Sequence, residues 1–120
     1  MMKYVLAAAA LLAALPIAAS AQDVENGKTV AKKCMICHKF DGANAVGPHL
    51  NGVVGRKAGV VEGYAYSDAM KNSGLTWDEA TLGEYIADPK TKVPKNKMIF
   101  VGVKDETERK DLIAYLATLK

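Results

Sequence analysis

Cys34, Cys37 and His38 are the residues of this chain whose types and spacing bear chemistry most directly. They fall in the run Cys34-Met35-Ile36-Cys37-His38, which holds every cysteine of the sequence. On one helical turn, side chains three and four positions apart project to the same side. Two thiols placed that way meet the two vinyl groups of one porphyrin, and an imidazole one residue further stands beneath the iron. Thioether bonds would make that cofactor permanent.

Three plainer readings compete. A redox dithiol shares the C-x-x-C spacing, but the βαβ pattern that surrounds such dithiols is missing, and His38 would be incidental. A zinc site would draw in His49, at a spacing that fits no zinc framework. A structural disulfide would close a very small loop, constrain the unfolded chain little, and explain neither His38 nor the chain that follows it. Haem attachment accounts for all three residues.

An iron held by His38 needs a sixth ligand or an open position. The candidates beyond the first 21 residues are Met35, Met70, Met98 and His49. Met35 sits inside the attachment turn, on the wrong side. Met70 falls in an expected short helix and reads as packing. His49 follows Gly47-Pro48 in an early loop and reads as a surface residue. Met98, beside Lys97 and Ile99-Phe100, is as fitting a core residue as a ligand on composition alone.

The elements that must position these groups are helical, and no run of alternating residues marks a strand. Asp23 caps an expected first helix with Val24, Gly27, Val30, Ala31 and Cys34 on one face. From His38 to about Gly63 the sequence reads as loop, punctuated by glycines and Pro48. Ser67 caps a short helix stopping near Gly74. Thr76 and Glu79 read as a capping-box pair opening a third helix that ends at Asp88 before Pro89. Lys90 to Lys97 reads as an extended basic loop. A last helix begins at Asp105, with Leu112, Ile113, Tyr115, Leu116 and Leu119 facing inward. Long irregular loops in a compact domain need something to wrap around, and a buried cofactor would supply it.

The 120 residues suffice for one small domain. Lys3, the apolar run Tyr4 to Leu15 and Ala19-Ser20-Ala21 read as a signal peptide cleaved after Ala21, leaving residues 22–120 as the mature domain. The apolar run is short of the roughly 20 residues of a membrane span. The whole sequence carries 16 basic and 13 acidic side chains, too mild a balance to suggest nucleic acid. Its distribution is more informative: Lys32, Lys33, Lys39, Lys90, Lys92, Lys95 and Lys97 lie near the motifs, while Asp105, Glu106, Glu108 and Asp111 gather elsewhere. No nucleophile, acid–base pair or substrate pocket is legible.

From about Asp23 to Lys120 the chain resembles class I cytochrome c, particularly the short bacterial cytochromes c2. The resemblance is carried by CMICH at 34–38, GPHLNGVVGRKAG at 47–59, YAYSDAMKNSGLTW at 64–77, YIADPKTKVPKNKMIFVGVK at 85–104 and ERKDLIAYLATLK at 108–120. It implies an all-α cytochrome c fold of four or five helices around one haem c, bound through Cys34 and Cys37. His38 and Met98 would be the axial ligands, a pair that favours ferrous iron. Pro48 would orient His38 through its carbonyl. Arg56, Tyr66 and Trp77 would meet the haem propionates, Tyr85 would bond the Met98 sulfur, and Phe100 would lie against the haem edge. Gly27 would let the first and last helices approach at Leu112 and Tyr115.

The sequence departs from mitochondrial relatives in several places. Met70 replaces an Asn, Asn96 replaces a propionate-bonding Thr, Val30 replaces an aromatic, and His49 replaces an Asn. The loop from His38 to Pro48 is two residues shorter. The resemblance further implies a periplasmic, monomeric electron carrier and no enzyme. Its donor would be a membrane cytochrome bc-type complex, and its acceptor an oxidase, a reaction centre or a reductase, docked through the lysines named above.

Overall fold

A computed structural model describes residues 22–120; the expected signal peptide lies outside them. Among these residues five α-helices follow one another: α1 Val24–Val30, α2 Asp68–Lys71, α3 Glu79–Ala87, α4 Pro89–Lys92 and α5 Glu106–Ala117. A 3-10 turn, Ala31–Lys33, continues α1 into the cysteine motif. No helix among the described residues is long and apolar enough to cross a membrane.

Each helix start has a local chemical cause. Asp23, Ser67 and Asp105 cap α1, α2 and α5 as the sequence implies, each accepting from the backbone N–H three residues on. The third helix departs from expectation. Its cap is Asp78, whose carboxylate accepts from Thr81 N–H at 2.8 Å, so Thr76 and Glu79 do not form the capping box. The expected extended loop after Pro89 begins instead as α4. Asp88 closes α3 and at the same time caps α4, and Pro89 sits at the first helical position, where a missing N–H costs nothing.

α1 and α5 cross at close quarters. A Cβ on Gly27 would lie 2.0 Å from the Asp111 carbonyl oxygen and 2.8 Å from Tyr115 Cβ, so only glycine admits this approach. The crossing is also tied by polar bonds. The buried Asp111 carboxylate accepts from Asp23 N–H and from the Asn26 side-chain amide, both at 2.8 Å. Val30, Ala31, Leu112, Ile113 and Leu116 fill the contact and extend through Leu82 and Tyr85 of α3 to Val93 and Val103. From Lys39 to Ser67 the chain is irregular, and Val53, Ala58 and Val61 are its buried anchors.

Candidate functional site: a haem-binding centre

The cysteine motif leaves the 3-10 turn as a continued turn of backbone, with Cys37 and His38 N–H both bonded to the Cys34 carbonyl at 3.1 and 2.9 Å. Both thiols are free and half-buried. Burial is the main cause that lifts the Cys34 pKa to about 11; Lys33 pulls it down and Cys37 pushes it further up.

His38 Nδ1 lies 2.6 Å from the Pro48 carbonyl. A carbonyl only accepts, so Nδ1 carries the proton and Nε2 presents its lone pair. Burial holds the His38 pKa below the ordinary histidine value, opposed by the Pro48 bond and assisted by the charge of Arg56. A neutral imidazole with a fixed ring and a free Nε2 is what a metal ligand requires. The ring is held in place by a residue that sequence reasoning did not single out. A Cβ on Gly47 would stand 2.3 Å from His38 Cε1, so the loop can press flat against the imidazole only with glycine there. The Gly-Pro dipeptide was the available signal.

An antiparallel bridge between Lys57 and Thr76 brings Arg56 and Trp77 side by side, with Trp77 N–H donating to the Arg56 carbonyl at 2.8 Å. The Arg56 guanidinium donates to the His49 and Asn51 carbonyls at 3.0 and 3.5 Å. Its Nε is buried with no partner among the described residues, the kind of orphaned donor an anionic ligand would satisfy. The Tyr66 hydroxyl accepts from Val61 N–H at 3.0 Å and keeps its own proton to donate.

Trp77 is buried and tilted against Tyr85, with ring centroids 4.8 Å apart. Tyr85 in turn directs its hydroxyl at the Met98 sulfur, 3.7 Å away. Burial raises the Tyr85 pKa, so the hydroxyl remains a donor. Phe100 packs half-buried against the core, while its neighbours Ile99 and Val101 are exposed.

The remaining candidates separate cleanly. Met35 is exposed, Met70 is a core residue and His49 is engaged with the Asn44 side chain. No group of three or more histidine, cysteine, aspartate and glutamate side chains placed to hold a metal ion occurs among the described residues. The Asn96 amide, at the position where the resemblance has a propionate-bonding Thr, is buried and donates to the backbone carbonyls of Pro89 and Val93.

Two unbonded cysteines, a neutral histidine with an available nitrogen and an orphaned buried guanidinium donor fit a covalently attached haem. A helical fold of this size built around such a site defines the class of protein: a small haem-bearing electron carrier. The cytochrome c family model matches residues 24–120, and the chain belongs to that family. It is 56% identical over 108 residues to cytochrome c2 of Blastochloris viridis, covering 88% of this chain and 85% of that one. With cytochrome c2 of Rhodoblastus acidophilus it shares 57% identity over 102 residues, 83% of this chain and 95% of the relative. Among solved structures, cytochrome cH from Methylobacterium extorquens superposes with a TM-score of 0.77 at 52% identity, covering 80% of this chain and 98% of that one. The cytochrome c2 resemblance, the all-α fold and covalent haem c at the Cys34–Cys37 pair are thereby borne out.

Proposed function

We propose that the protein is a soluble periplasmic one-electron carrier whose single haem c is ligated by His38 and Met98. In this reading a cytochrome bc-type complex is the donor, and a terminal oxidase, a photosynthetic reaction centre or a soluble reductase is the acceptor. The haem supplies the redox chemistry. The chain supplies the rest: His38 fixed by Pro48 and Gly47, Met98 held by Tyr85, and donors from Arg56, Tyr66 and Trp77 for the propionates. The observation that carries the closed, two-ligand reading is the 3.7 Å approach of the Tyr85 hydroxyl to the Met98 sulfur. A thioether served by a buried donor is oriented and no longer free to drift with its loop. His38 and Met98 would hold the iron and leave it no open position for substrate, and the haem would supply one-electron exchange, as a carrier requires.

Visible spectra of the holoprotein, made in a host with haem-attachment machinery, test this directly. The expected result is sharp ferrous bands plus the weak far-red ferric band of methionine-ligated iron, the latter lost in Met98→Ala. Attached haem without that band, together with ready binding of carbon monoxide, would instead identify an open site suited to peroxidase or gas-sensing chemistry. The mass of the mature protein tests cleavage after Ala21.

A further inference from the structure

Asn96 is only 4% exposed, and its side chain bonds only to backbone. Nδ2 donates to the carbonyls of Pro89 and Val93, each at 2.8 Å, and Oδ1 accepts from Met98 N–H at 2.8 Å. Pro89 opens α4 and Val93 closes it. One amide therefore ties both ends of α4 to the backbone of Met98. Both of its hydrogens are spent, so it has no donor left for any group outside the loop.

The segment that Asn96 closes is strained. Lys95 has φ +66°, the one positive φ outside glycine among the described residues. A Cβ makes that conformation unfavourable, and lysine has no short polar side chain to support it locally. Immediately past Met98, Ile99 is 97% exposed, and packing resumes at the half-buried Phe100. The Met98 loop is thus bent at Lys95, clamped at Asn96 and solvent-exposed at Ile99.

We propose that Asn96 is a positioning residue for Met98: by tying α4 to the Met98 backbone against the strain at Lys95, it sets how readily Met98 yields its place to an external ligand. The inference rests on Met98 being an axial ligand. Its test is titration of the ferric holoprotein with imidazole, followed by the shift of the main visible band together with loss of the far-red band.

Asn96→Ala is expected to bind imidazole about tenfold more tightly than the wild type, since it loses three hydrogen bonds that hold the loop. Lys95→Gly is expected to bind it about fivefold more weakly, because glycine adopts the positive φ without penalty. Met98→Ala calibrates the scale. If it binds imidazole tightly while both loop variants match the wild type, Met98 is the ligand and the positioning role is overturned. If Met98→Ala itself binds like the wild type, the ligand assignment beneath the proposal has failed. A purely structural role for Asn96 would lower its denaturant midpoint and leave imidazole affinity unchanged, which also overturns the proposal. Should Asn96→Ala not accumulate as holoprotein, Lys95→Gly decides alone, and an affinity equal to the wild type counts against it.

Discussion

Gly47 shows how far a site depends on what is absent from a side chain. Substitution to alanine places a methyl 2.3 Å from His38 Cε1, and neither the ring nor the loop can move without breaking the bond to Pro48. Gly47→Ala is expected to destabilise the holoprotein by about 1–3 kcal/mol, read as a lower guanidinium midpoint at unchanged slope. Tyr85→Phe tests the proposed second ligand, Met98. Removing a donor from the sulfur leaves it more electron-rich and favours ferric iron, so the midpoint potential should fall, measurable by redox titration. The attachment motif was legible in the sequence because residue types at fixed spacing carry its chemistry. The choice of Met98 over the other methionines was not, and came from resemblance, because a lone methionine looks the same in a core and on a metal. The bonds of Asn96 were illegible for a related reason: an amide serves an anion or a backbone equally well, and only the fold of the loop shows the carbonyls it meets.

At the scale of elements, two glycines in helices make opposite predictions. Gly27→Ala forces a methyl into the Asp111 backbone and is expected to cost about 3 kcal/mol or more, since neither helix can withdraw without opening the core. Gly83 lies inside α3, and its added Cβ would meet only Ile113 Cδ1, at 3.4 Å. Gly83→Ala should therefore raise stability by about 0.5–1 kcal/mol through its better helix propensity. Thermal unfolding of the pair separates close approach from mere helix content. The caps of α3 and α4 carry a pH dependence. Asp78 is held below the ordinary aspartate pKa chiefly by accepting from Thr81 N–H, and Asp88 chiefly by its bond to the Thr91 side chain. The unfolded chain takes up these protons first as pH falls. The caps therefore stabilise fully above about pH 4 and lose that contribution as the pH falls through the lowered folded values. Amide exchange at Thr81 and Thr91 should accelerate below about pH 4 relative to Asp78→Asn and Asp88→Asn, which have no charge to lose. Helix starts at Asp23, Ser67 and Asp105 were readable because their capping residues precede clear periodic runs. The fourth helix was missed because a proline after an aspartate signals both a stop and a start, and here it is both.

Across the whole molecule, the basic side chains near the motifs are not equivalent. Lys92 is paired with Glu84 at 2.5 Å, Lys90 donates to the Asn96 carbonyl, and Lys97 donates to Ala65 while lying over the Tyr64 ring. Lys32, Lys39 and Lys95 have neither an ion pair nor a side-chain hydrogen bond among the described residues, and all three are exposed. If the lysines steer acidic redox partners, Lys39→Gln should slow association measurably in stopped-flow electron transfer, while Lys92→Gln changes it little. The wild-type rate should fall as salt is added. Equal effects from both variants would place docking elsewhere. The bond from Asp23 N–H to Asp111 joins positions 88 residues apart, and the helices it joins make the central crossing of the fold. A ribosome makes α1 first and α5 last, so the first helix has no partner until nearly the whole chain has been synthesised. Such a chain cannot close domain by domain as it emerges. Its central crossing cannot form until the final helix has been made. If the chain is exported and loaded with haem as proposed, both steps would fall before that closure.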